Sequence, residues 1–116
     1  MKNKIKIDEV IIHLGMLATY YFEYDEDYHR GNSFYKAIES LEESGIKKIA
    51  DVAVVKELPG IGPSTLKEIT EFIATRTSTR LEQILSQSAS FKQRMKEYVL
   101  KNYAKFPELV AIWRDK

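Results

Sequence analysis

The sequence predicts an all-α domain: a bundle of four helices containing a helical hairpin, with one or two further helices at the C-terminal end. Three observations predict it. Apolar residues recur at intervals of three and four along most of the chain. Asp, Asn or Ser stands ahead of several of these stretches, and Gly or Pro punctuates their ends. No stretch alternates apolar and polar residues in the two-residue rhythm of a half-buried strand, so no strand is expected.

The first helix runs from Asp8 to about Tyr24. Ile7, Ile11, Leu14, Ala18 and Tyr21 form its apolar line, and Val10, Leu17 and Tyr24 widen it. Gly15 costs helix stability and reads as tolerated for a close helix contact. His13 lies beside this face and reads as a surface or core residue rather than a ligand. Glu23 to Asp27 is an acidic knot that reads as a solvated loop. Its other readings are a site for a basic partner, a screen against DNA, or a magnesium site. His29–Asn32 is then a turn, and Asn32 or Ser33 caps a second helix reaching about Ser44. Phe34, Ala37, Ile38 and Leu41 face inward, and Gly45 ends the helix. Ile46–Ala50 is a connector carrying Lys47 and Lys48. Asp51 caps a short helix over Val52–Glu57.

The next stretch, Leu58-Pro59-Gly60-Ile61-Gly62-Pro63-Ser64, is a turn feeding a helix. Pro59 and the two glycines stop any helix from the left. Pro63 fits a first helical position, where its missing N–H is not needed. Gly60 and Gly62 allow positive φ and bare the backbone amides, while Ile61 plugs the gap between the flanking helices. Bare amides at a helix N-terminus form an anion site, and a long anion of repeating phosphates is nucleic acid. The pattern is that of a helix-hairpin-helix. Its second helix buries Leu66, Ile69, Phe72 and Ile73 and runs to about Thr75. Arg76–Thr79 is a polar loop. Leu81, Ile84 and Leu85 mark a short helix, and Ser88–Ser90 a second boundary. Phe91, Met95, Tyr98 and Val99 mark a helix to about Ala104, with Lys92, Lys96, Lys101 and Lys105 around its polar side. Pro107 opens a last helix that packs back through Leu109, Val110, Ile112 and Trp113. Residues 1–87 therefore read as the DNA-binding unit and residues 88–116 as a helical extension packed on it.

Composition narrows the function classes. Without cysteine the 116 residues offer no disulfide, thiol chemistry or Cys-based zinc site. No apolar run is long enough to span a bilayer. Met1–Lys6 is basic, but Asp8 and Glu9 interrupt any signal-peptide pattern, so an intracellular location is expected. Net charge is only +1 but uneven: residues 1–58 hold 8 Lys/Arg against 11 Asp/Glu, and residues 59–116 hold 10 against 6. The hairpin and everything after it form the basic half. This polarity suits DNA on one side, with modest, salt-sensitive affinity.

Val10 to about Leu81 resembles the N-terminal domain of the family X DNA polymerases, the DNA polymerase beta family. Leu17-Ala18, His29-Arg30, Asn32, Phe34, Lys36-Ala37, Lys56, Leu58-Pro59-Gly60-Ile61-Gly62, Phe72, Ala74-Thr75 and Leu81 carry the resemblance. It implies binding of gapped DNA and a grip on a 5′-phosphate. By this resemblance His29, Arg30, Lys36 and Arg80 line the phosphate pocket, with an aromatic at Phe34. The hairpin residues Gly60, Ile61, Gly62, Ser64 and Lys67 meet DNA. The resemblance also implies a monovalent cation, Na or K, on the backbone carbonyls of Lys56, Leu58 and Ile61.

Departures from the family shape the expected activity. Some members are lyases that act through a lysine Schiff base, and that position is Glu68 here. Another basic pocket position is Ser64, and Leu66 replaces a small residue. Glu68 is expected to repel a 5′-phosphate. Lys67 is one residue off, about 100° around the helix, and points away from the core. Residues 88–116 have no counterpart in the family's N-terminal domain, and the catalytic polymerase domain is absent from this sequence. The expectation is a non-catalytic, largely sequence-independent DNA-binding monomer with no required cofactor. Gapped, nicked or 5′-phosphorylated ends are the candidate ligands. The alternatives are a 5′-deoxyribose phosphate lyase using Lys67 or Lys36, and a protein-binding module that kept the fold.

Overall fold

In the computed structural model, which describes residues 4–116, six α-helices and a short β-ribbon enclose one core. β1 (Ile5–Lys6) leads directly into α1 (Ile7–Glu23), and a short acidic connection returns the chain as α2 (Tyr28–Glu43). These two helices make the most extensive pairing of the fold. Val10, Leu14, Leu17, Ala18 and Tyr21 of α1 meet Phe34, Ala37 and Leu41 of α2, all buried. The close approach is at Gly31, where a Cβ would stand 3.1 Å from the Phe22 ring. Gly15, expected to serve that purpose, has open space in front of it.

α2 begins earlier than the sequence indicates. Asp27, not Asn32 or Ser33, is its N-cap, accepting a hydrogen bond from the Arg30 amide at 3.1 Å. His29–Asn32 is therefore helix rather than turn. The acidic connection is also put to use: Glu23 pairs with Arg94 at 3.0 Å and ties α1 to α5.

After α2 the chain crosses back, and β2 (Lys48–Ile49) pairs antiparallel with β1, Ile5 opposite Ile49 and Lys6 opposite Lys48. The expectation of no strand is corrected here. Burial of Ile5 and Ile49 fixes the ribbon. The short helix expected over Val52–Glu57 is also corrected: only one 3-10 turn forms, Val52–Val54, capped by Asp51 at 2.8 Å. Successive bonds from Val55 to Val52 and from Leu58 to Val55 then carry the backbone as tight turns into the hairpin.

α3 (Pro63–Thr75) is the second helix of the hairpin. It buries Thr65, Glu68, Ile69 and Phe72, while Leu66 and Ile73 are half-buried. α4 (Thr79–Gln87), α5 (Ala89–Asn102) and α6 (Pro107–Arg114) follow, and one serine, Ser88, closes α4 and caps α5. Phe91 packs edge-on against Tyr20 and Tyr24 of α1. Phe91, Met95, Val99, Phe106 and Trp113 belong to the same buried cluster as α1 and α2. Among the described residues no helix is long and apolar enough to cross a membrane.

Candidate nucleic-acid interface

The hairpin turn is exposed on one side and wedged on the other. Gly60 has φ +82 and abuts α2, so that a Cβ there would lie 3.3 Å from the Lys36 carbonyl oxygen. Both facts require glycine. Gly62 is different. Its φ is −96, not positive as expected, and a Cβ there would meet nothing within 4 Å. The fold itself places no demand for glycine at 62. Ile61 is half-buried against the core and fills the gap beneath the turn, as expected from its apolar side chain.

Gly62 is the N-cap of α3 and supplies no side chain to cap it; Pro63 brings no amide. The amides of Gly62 and Ser64, on exposed residues, have no acceptor among the described residues. The start of α3 thus presents unpaired N–H groups at the positive end of a helix dipole. Lys67 is exposed, less than a turn beyond Ser64.

Arg80, at the start of α4, reaches this point from the side. Its Nη2 donates to Ser64 Oγ at 3.1 Å, its Nη1 to the Tyr21 hydroxyl at 2.8 Å and its Nε to Glu68 Oε2 at 3.2 Å. Glu68, 2% exposed, lies between Arg80 and His13, whose Nε2 is 3.1 Å from the other carboxylate oxygen. A carboxylate only accepts, so that nitrogen carries the proton. Burial pushes the Glu68 carboxyl up, but the His13 hydrogen bond and the Arg80 charge outweigh it and hold the group below the usual carboxylate range. Glu68 is therefore not a free negative charge facing a phosphate, as its sequence position suggested; two partners neutralise it.

Arg30, Lys67 and Arg80 line one open cleft of about 510 Å³, together with Asp25, Glu68 and Glu71. Within it Glu71 accepts from the amide and hydroxyl of Thr79 at 3.0 and 2.8 Å, which holds α4 against α3. Arg30 lies over the Tyr21 ring, and the buried Phe34 ring lies 5.7 Å from the Arg80 guanidinium. His29 and Lys36 are exposed on α2 but outside this cleft; Lys36 instead borders the hairpin through its backbone. The carbonyls of Lys56 and Ile61 accept no backbone hydrogen bond among the described residues, and that of Leu58 accepts from the Ile61 amide at 3.3 Å.

Sequence reasoning missed the roles of His13, Tyr21 and Glu68. Each partner pair is far apart in sequence, Arg80 and Tyr21 by 59 residues, so no spacing signals it. No curated protein matches the chain. A family model described as a helix-hairpin-helix domain matches residues 8–78, more than half of the chain. Domains of this kind are in general nucleic-acid binding. With a hairpin turn at residues 58–62 feeding α3 inside the matched span, the chain belongs to the helix-hairpin-helix domain family.

Proposed function

We propose that this chain is a non-catalytic domain that binds the DNA backbone with little regard to sequence, and that gapped or 5′-phosphorylated DNA is its ligand. The observation that carries the reading is the uncapped N-terminus of α3, with the unpaired amides of Gly62 and Ser64 on an exposed hairpin. Backbone amides and a helix dipole meet a phosphate whatever the base attached to it. Gly62 supports the same reading, since the open space before it lets a phosphate approach the main chain. The resemblance to the family X polymerases supplies the 5′-phosphate, and Arg30, Lys67 and Arg80 around one cleft fit such an anion.

The carbonyl oxygens of Lys56, Leu58 and Ile61 fit a monovalent cation, two of them having no backbone donor. A cation held there would add positive charge beside a phosphate. The non-catalytic reading rests on Glu68: a carboxylate forms no imine, and this one is buried between His13 and Arg80.

The test is fluorescence anisotropy with a labelled gapped duplex over a salt series. The expected result is a linear fall of log affinity with log salt, equal for unrelated sequences. Absence of binding at low salt would overturn the reading.

A further inference from the structure

Arg80 is the junction of three other segments of the molecule. Its three recorded hydrogen bonds go to α1 through Tyr21, to the middle of α3 through Glu68 and to the first turn of α3 through Ser64. A guanidinium has five N–H groups. Two remain, on a side chain that is 29% exposed. The group is pinned from below as well: Glu68 is clamped by His13, and His13 lies against the Phe72 ring at 4.8 Å. The chain of contacts from Phe72 through His13 and Glu68 to Arg80 thus leads from the core to the uncapped end of α3.

We infer that Glu68 is a positioning residue: it fixes the Arg80 guanidinium beside Ser64, so that the two remaining N–H groups and the free amides of Gly62 and Ser64 converge on one DNA phosphate. This deepens the DNA-binding reading and rests on it. A long side chain that is ordered before binding loses less freedom when it meets its ligand, so preorganisation raises affinity without a new contact. Simple electrostatics gives the opposite sign, because removing a carboxylate near a polyanion should strengthen binding. The two accounts therefore separate on the direction of a single measurement.

The experiment compares wild type, Glu68→Gln, Arg80→Gln and the double variant on one fluorescein-labelled gapped duplex. Circular dichroism melts set a temperature at which every variant is folded. Arg80→Gln is expected to weaken binding and to make the salt slope shallower by about 1. Glu68→Gln is expected to weaken binding by about fivefold despite the added positive net charge, and to have no weakening effect in the Arg80→Gln background. Tyr21→Phe, which keeps the core volume and removes another anchor of the same guanidinium, is expected to behave in the same way. It decides the matter if Glu68→Gln does not fold. Equal or tighter binding by Glu68→Gln overturns the inference, as does an equal loss with and without Arg80. If wild type binds with a salt slope and these couplings are absent, the inference alone falls. If wild type does not bind, the DNA reading falls and takes it along.

Discussion

The two glycines of the hairpin carry different loads. Gly60 combines a left-handed φ with a carbonyl oxygen 3.3 Å from where a side chain would start. Gly60→Val is expected to destabilise the fold by about 2 kcal/mol through strain alone. Gly62→Val meets neither obstacle and is expected to leave the melting temperature nearly unchanged while covering the amides of the α3 N-terminus. It should weaken DNA binding similarly for all sequences. A Gly62→Val variant that is folded and binds like wild type would remove these amides from the interface. Glu68 sets a second prediction at this scale. Its carboxyl is held below the usual carboxylate range in the folded chain. The stability it supplies is therefore complete above the unfolded value and is lost as the pH falls through the folded one. Glu68→Gln should cost about 2 kcal/mol at neutral pH and flatten the loss of stability in acid. Denaturant titrations of both proteins from pH 7 to pH 3 check this, and parallel curves would show that Glu68 does not drive the acid sensitivity.

At the scale of the element, the helices were legible and the short pieces were not. A repeat of three and four residues marks a helix by itself, and α1, α3, α5 and α6 start and stop close to where apolar spacing, Pro63, Pro107 and Ser88 put them. The β-ribbon has two residues per strand and pairs positions 5–6 with 48–49, so it carries neither alternation nor a turn signal. The start of α2 was misread because Asp27 sits among other acids and its capping role shows only in its bond to the Arg30 amide. The hairpin was legible because its chemistry is local: proline, glycines and helix N-terminus follow one another within a few residues. The Glu68 network was not, since it joins α1, α3 and α4 through residues that individually resemble surface charges. α3 also bears on lyase chemistry. Borohydride trapping on incised abasic DNA is expected to yield no covalent adduct, because Glu68 cannot form an imine and Lys67 is exposed on another side of the helix. An adduct that disappears in Lys67→Ala, or one that disappears only in Lys36→Ala, would place the chain among the lyases.

For the molecule as a whole, the question is whether the C-terminal helices are an appendage or part of the core. The family match ends at residue 78, ahead of α4, which makes a separable hairpin domain the simple expectation. The packing argues otherwise. Phe91 is fully buried against Tyr20 and Tyr24, Trp113 is 1% exposed, and Met95, Val99 and Phe106 join the cluster that contains Leu14 and Leu17. Removing residues 88–116 would uncover several of these contacts on α1 at once, each large side chain being worth roughly 1.5–3 kcal/mol of burial. A loss of that size equals or exceeds the total stability of about 5–15 kcal/mol that domains of this kind possess. The fragment 1–87 is therefore expected to lack a cooperative thermal transition and to expose apolar surface to a hydrophobic dye. Lost DNA binding in that fragment would then report unfolding, not a lost contact. The contribution of the tail lysines to DNA binding has to be measured in the intact chain. Lys92 and Lys96 are half-buried, Lys101 and Lys105 are exposed, and none of the four is in a salt bridge among the described residues. Their simultaneous change to Glu keeps the apolar face of α5 intact. An unchanged salt slope in that variant would leave phosphate contact to the hairpin and the Arg80 cleft; a shallower slope would extend the DNA track along α5. A cooperative, wild-type-like melt of fragment 1–87 would instead show that the hairpin unit folds alone.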